Sequence, residues 1–292
     1  MKILKKIGSI LFCLLPCLLA FAIQMLVTFI GVFLKIIVFV SQNTFQISNL
    51  SDPQFLIQLV QDSQFLAGLS AIYAVIAAIV LGFWYWKRFV PKRQPKRKIS
   101  SIITPQMLIG LIFLMLGMQY ISTYLVMLVS VINPAWYDTY QELMEGIGFG
   151  NITFILVLYS VLIAPISEEI IFRGITLKYA TKAMPFFLAN IFQAFLFGIF
   201  HGNVVQGTYA FVTGMFCGYV CLKGGSLYLS ILFHMLFNIW GTFAPDFLSY
   251  SGNSLLLHIV IFAIAVCFTL AGVFLYQKGI DKRTPILDTY NE

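Results

Sequence analysis

Charge is what this sequence has least of. Lys, Arg, Asp and Glu make up 10% of its 292 residues, against about 25% in an ordinary soluble domain, and that excludes a soluble globular protein. Cysteine is sparse and unpatterned. Cys13, Cys17, Cys217, Cys221 and Cys267 all lie in apolar runs, without the spacing of a zinc site or a disulfide framework. They read as small buried hydrophobes, with Cys217 and Cys221 one helical turn apart. There are only three histidines and no HExxH, so the commonest zinc-hydrolase signature is missing. Internal repeats are not evident either, whereas many transporters carry them.

Apolar residues fill the space that charge leaves, at 60% of the chain. A membrane-spanning helix needs about 20 of them in a row. Runs and breakers then predict an all-α, polytopic helical bundle of about eight transmembrane helices. The expected spans are Ile7–Phe33 or a little beyond, Phe65–Trp86, Met107–Ile132, a fourth from Ile152 into Glu168-Glu169, Phe186–His201, Val205–Leu222, Leu227–Phe243 and Leu255–Tyr276. The start, Met1-Lys2-Ile3-Leu4-Lys5-Lys6, resembles a signal peptide, and Ala20-Phe21-Ala22 a cleavage site. The run continues too far for that, so an uncleaved anchor is expected.

The net charge of +7 does not point to nucleic acid, because the basic residues sit at the ends of apolar runs. With the N-terminus inside, every Lys and Arg except Lys35 falls on the inner side, from Lys2, Lys5 and Lys6 through the Lys87–Lys98 block to Arg173, Lys178 and beyond. The outer loops hold Asp52, Asp62, Asp138, Glu142, Glu145 and Asp246. This asymmetry predicts an integral membrane protein with both termini cytoplasmic, and a bacterial plasma membrane is the expected location. The basic block faces anionic lipid, and its Pro91 and Pro95 mark a boundary. Residues 1–100 then form two N-terminal helices with a basic linker, and residues 101–292 a second unit.

Polar groups inside spans are costly and mark function. Glu168 and Glu169 end an uncharged stretch from Ile152 to Ser167. Glu169 and Arg173 are four apart and can pair on one helix face. Glu168 points about 100° away, so the two acids are expected to take different partners. His201 ends the fifth span, and His234 and Asn238 share one face of the seventh. His258, at the start of the eighth, reads as a helix–helix hydrogen-bond partner. Glu168, His201, His234 and Asn238 are best satisfied by meeting around water. Such a set suits hydrolysis: a carboxylate as general base, a histidine to orient water, and donors for an oxyanion.

At these residues the chain resembles the CPBP family of intramembrane proteases. The resemblance rests on Glu168-Glu169-xxx-Arg173, Phe197-xxx-His201 and His234-xxx-Asn238, in that order on successive spans, and covers about residues 105–245. The family includes type II CAAX prenyl endopeptidases and the bacteriocin-processing and immunity proteins of the Abi family. The resemblance implies that Glu168 activates water with His201, that His234 and Asn238 form the oxyanion site, and that Glu169 and Arg173 orient the first motif. It also implies a membrane-associated peptide or protein substrate within a lipid bilayer. No cofactor is expected; a divalent metal such as zinc on Glu168, His201 and His234 is the alternative. The competing functions are a non-catalytic immunity or scaffold protein and a proton-coupled transporter. One geometric tension stands: His201 ends an outward-running span, yet Glu168 lies five residues before an Arg173 expected to be cytoplasmic. They meet only if the fourth span tilts or extends past Lys178, or if the fifth ends in mid-membrane at Gly202.

Overall fold

In hydrocarbon, a helix satisfies each backbone N–H and C=O within its own segment, and the apolar runs fold accordingly. The structure, a computed structural model, describes residues 2–42, 62–92, 98–244 and 254–283. Every longer element in those residues is helical: α1 (Lys2–Gln42), α2 (Ser63–Phe89), α3 (Pro105–Ile132), α4 (Pro134–Ile147), α5 (Phe154–Ala183), α6 (Phe186–Phe200), α7 (Val204–Gly224), α8 (Leu227–Phe243) and α9 (Leu255–Asp281). Six are long and apolar enough to cross a membrane, α1 over Ile10–Ser41 and then α2, α3, α5, α7 and α9, while α6 and α8 are shorter. The chain is a polytopic helical membrane bundle, with a helix at each expected span.

Local chemistry sets the helix starts. Side chains of Asp62, Thr104, Asn133, Thr153, Asn203 and Ser254 each accept from the first free backbone N–H groups of α2, α3, α4, α5, α7 and α9, which a helix cannot pair internally. Pro105 and Pro134 sit in the first turns of α3 and α4, where a missing N–H costs nothing.

Packing follows small residues. Helices α3 and α9 touch along most of their length, and a methyl group at Gly110, Gly117, Gly272 or Gly279 would strike the facing backbone. Such small-residue seams let backbones approach in lipid, where no hydrophobic force drives helices together. Thr104 Oγ1 adds a hydrogen bond to the Gly279 carbonyl at 3.1 Å. One core gathers Met107, Leu111, Leu114 and Met118 of α3 with Val220, Phe233 and Tyr276. A second joins Ala20 of α1 and Leu81 of α2 to Ile171, Phe172 and Ile175 of α5 and Phe197 of α6. The two N-terminal helices thus pack along α5. Outward faces are apolar too: Phe29, Leu18 and Leu255 are well exposed, as lipid contact requires.

The structure departs from the sequence reading in three places. Helix α5 does not end at the acids but continues to Ala183, so Arg173 lies inside the bundle, fully buried, and is not a loop charge. Helix α1 extends to Gln42, past the expected Phe33. Lys35, which the sequence reading puts at an outer end with Asp62, pairs with that residue at 3.3 Å and lies over the Phe65 ring. Finally, α4 is a 14-residue helix that no span had claimed. The side chains of Lys2, Lys5 and Lys6, together with Asp52, Arg93, Pro95, Lys96, Arg97 and Asp246, lie outside the described residues.

Candidate active site

Helix α5 is irregular where it carries the acids. Two stretches, Leu158–Ile163 and Ile170–Thr176, are wound as wide π turns, and the helical segment between them is Ala164–Glu169. π turns widen a helix and are frequent at functional sites. In the first, the Ala164 N–H reaches back five residues to the Tyr159 carbonyl. In that register the next donor would be residue 165, which is a proline without an N–H. Asn238 of α8 supplies the missing bond: its Nδ2 donates to the Ser160 carbonyl at 2.8 Å. The proline in the first motif and the asparagine in the third are therefore complementary.

Glu169 and Arg173 are both fully buried and paired at 2.8 Å. A lone buried charge is costly, and it is tolerated when its remaining hydrogen-bonding groups are also met. Here part of that need is met: Arg173 Nη2 donates to the Gly214 carbonyl at 3.0 Å, and the guanidinium lies 4.5 Å from the centre of the Phe197 ring, while Arg173 Nε and Glu169 Oε2 have no hydrogen-bond partner among the described residues. Gln193 donates to the same Gly214 carbonyl at 3.0 Å. A methyl group at Gly214 would lie 3.1 Å from Arg173 Nη2 and 3.0 Å from Phe197, so glycine makes the close approach feasible.

His234 bridges both acids. Its Nδ1 is 2.9 Å from Glu169 Oε1 and its Nε2 is 3.7 Å from Glu168 Oε2. The two carboxylates were expected to take separate partners; they share one, because α8 crosses α5 where both point inward. Glu168 is the more open, its side chain 15% exposed against none for Glu169.

The hydrogen bonds also show which ring nitrogens donate. Glu169, ionised beside Arg173, only accepts, so His234 Nδ1 is the donor, and Nε2 is turned towards Glu168. His201 Nδ1 lies 2.8 Å from the Phe197 carbonyl and must donate to it, which leaves a neutral ring with Nε2 as acceptor. His201 is placed by a helix end: α6 stops at Phe200, and Gly202 follows at φ 73°, a left-handed conformation that glycine adopts without strain. At 15 residues, α6 is about 22 Å long, short of a hydrocarbon core of about 30 Å. So the fourth span runs past Lys178 and the fifth ends early, and both bring His201 towards Glu168. The Glu168 charge acts on His201, although among the described residues the only ion pair of Glu168 is with His234. The Phe197 ring stands edge-on to His201 and His234, with centroids 4.7 and 5.8 Å away.

All six expected site residues thus gather around α5: Glu168, Glu169, Arg173 and His234 in direct contact, Asn238 on the π turn, and His201 across the Phe197 ring. His258 lies elsewhere on α9, its Nδ1 3.3 Å from the Tyr124 hydroxyl of α3. As for a metal, the close set of potential ligands is Glu169, Cys217 and His234, within 4.8 Å of one another. A cation there would compete with the guanidinium and with the His234 Nδ1–H, which both bond to Glu169 Oε1. Glu168, His201 and His234 do not come equally close. Sequence reasoning missed Cys217 beside Glu169, since its run looks like plain packing. It also missed Asn190 and Gln193, whose amides buttress α7 at Met215 and Gly214; two amides one turn apart in an apolar span were the available signal.

Residues 150–240, just under a third of the chain, match the family model described as type II CAAX prenyl endopeptidase Rce1-like. No curated protein and no solved structure is significantly similar to the chain. The matched stretch holds all three motifs and runs from α5 into α8. The match agrees with the resemblance that the motifs carry: over this segment the chain is similar to type II CAAX prenyl endopeptidases.

Proposed function

We propose that the chain is an intramembrane endopeptidase that hydrolyses a peptide bond in a hydrophobic or membrane-anchored substrate, with Glu168 activating the water. One observation carries this reading: His234 contacts Glu168 and the Glu169–Arg173 pair at once, which joins a partly open carboxylate to a rigid, charge-balanced brace. A purely structural ion pair would need only Glu169 and Arg173.

Water held at Glu168 gives the carboxylate a proton as its oxygen attacks the carbonyl carbon. His201 Nε2 accepts the other hydrogen of that water. The oxyanion takes the second N–H of the Asn238 amide, the first being bonded to Ser160, and the Nε2–H of a doubly protonated His234. Glu168 then passes its proton to the leaving amine as the carbon–nitrogen bond breaks. Glu169 and Arg173 hold His234 in register and touch no reacting atom. These steps use no metal.

A comparison of membrane-derived peptides from cells carrying the wild type and Glu168→Ala tests the reading. The variant is expected to accumulate uncut precursor at normal protein level, and wild-type cleavage is expected to survive chelators. Unchanged peptides in the Glu168→Ala cells would refute it, and chelator-sensitive cleavage with bound zinc would refute its metal-free form.

A further inference from the structure

Helix α2 lies outside the matched stretch, yet it packs a tyrosine against the residue that precedes His201. Tyr73 is 6% exposed. Its ring packs with Tyr159 and Ile163 of α5 and leans on Phe200, centroids 6.5 Å apart, one residue before His201. Among the described residues its hydroxyl has no hydrogen-bond partner. The charge that acts on it most is the Glu168 carboxylate, which also acts on Tyr159.

Buried polar groups are nearly always paired, and each exception asks for an explanation. Packing alone does not supply one, because phenylalanine would fill the same apolar cluster without stranding a hydroxyl. A bond to Glu168 does not supply one either, because none is made. A donor held free beside the general base is what an arriving carbonyl oxygen requires.

We infer that Tyr73 is a catalytic residue contributed by α2, its hydroxyl donating to a carbonyl oxygen of the bound peptide beside Glu168. The inference rests on the hydrolytic reading above. It makes α2, one of the two N-terminal helices, part of the active site.

The test uses the full chain in membranes and follows, by isotope-labelled mass spectrometry, the rate at which peptides dependent on Glu168 are released. Tyr73→Phe keeps the ring and removes only the hydroxyl. Release is expected to fall roughly 100-fold, the usual effect of losing one oxyanion-type donor. The midpoint of thermal unfolding in detergent is expected to stay level or rise, since no bond of the resting protein is lost. Release at the wild-type rate would overturn the inference. So would a parallel fall in release and unfolding temperature, which would make the hydroxyl a structural group. If Tyr73→Phe matches wild type while Glu168→Ala is inert, this inference alone fails. If no peptide depends on Glu168, the hydrolytic reading fails with it.

Discussion

Glu168 and Glu169 are neighbours in sequence and opposites in setting. Glu169 is sealed against Arg173 and His234, while Glu168 keeps part of its surface open. Their amide variants should separate cleanly. Glu169→Gln leaves Arg173 charged, buried and without its counter-ion, a loss on the order of 3–5 kcal/mol, to be read as a lower unfolding midpoint in detergent. Glu168→Gln should leave that midpoint unchanged and abolish cleavage. The i to i+4 spacing made the Glu169–Arg173 pair legible in the sequence, because it is local to one helix. That His234 meets Glu168 was expected, but that it also bonds to Glu169 was not legible, since this depends on how α8 is rotated against α5, and no local pattern encodes that. Cys217 escaped for the same reason: its neighbour Glu169 comes from another helix.

At the scale of the element, α5 shows how one proline is answered from a distance. Pro165 removes an N–H from the wide turn, and Asn238 fills the Ser160 carbonyl. Asn238→Ala should strand that carbonyl and cost about 1–3 kcal/mol, besides lowering cleavage. Adding Pro165→Ala returns a backbone N–H at the required place, so the double variant should recover stability but not activity. Unfolding midpoints of the two single variants and the double variant check this coupling. Helix positions were legible from run length and breakers, and α8 begins and ends at the expected residues. The π turns were not, because a five-residue hydrogen-bond register leaves almost no trace in composition. Helix α4 was missed because its 14 residues are too few and too polar to register as a span.

The molecule as a whole is a bundle whose outside is as apolar as its core, which composition alone foretold. Charge sorting was the weaker guide. It counted Arg173 as a cytoplasmic residue, whereas the chain buries it beside Glu169, where its role is to balance charge. The same burial eases the depth conflict between Glu168 and His201. Helix α5 carries the acids inside the bundle, and α6 ends early enough to present His201 to them. In the proposed reaction, water activated by Glu168 in this interior site cuts the peptide bond. The direct measurement reconstitutes the full chain in lipid with a precursor identified by the peptide comparison, in water enriched in oxygen-18. The wild type is expected to leave one heavy oxygen in the new C-terminal carboxylate, and a folded Glu168→Gln no cut peptide. Cleavage by that variant at the wild-type rate would contradict it.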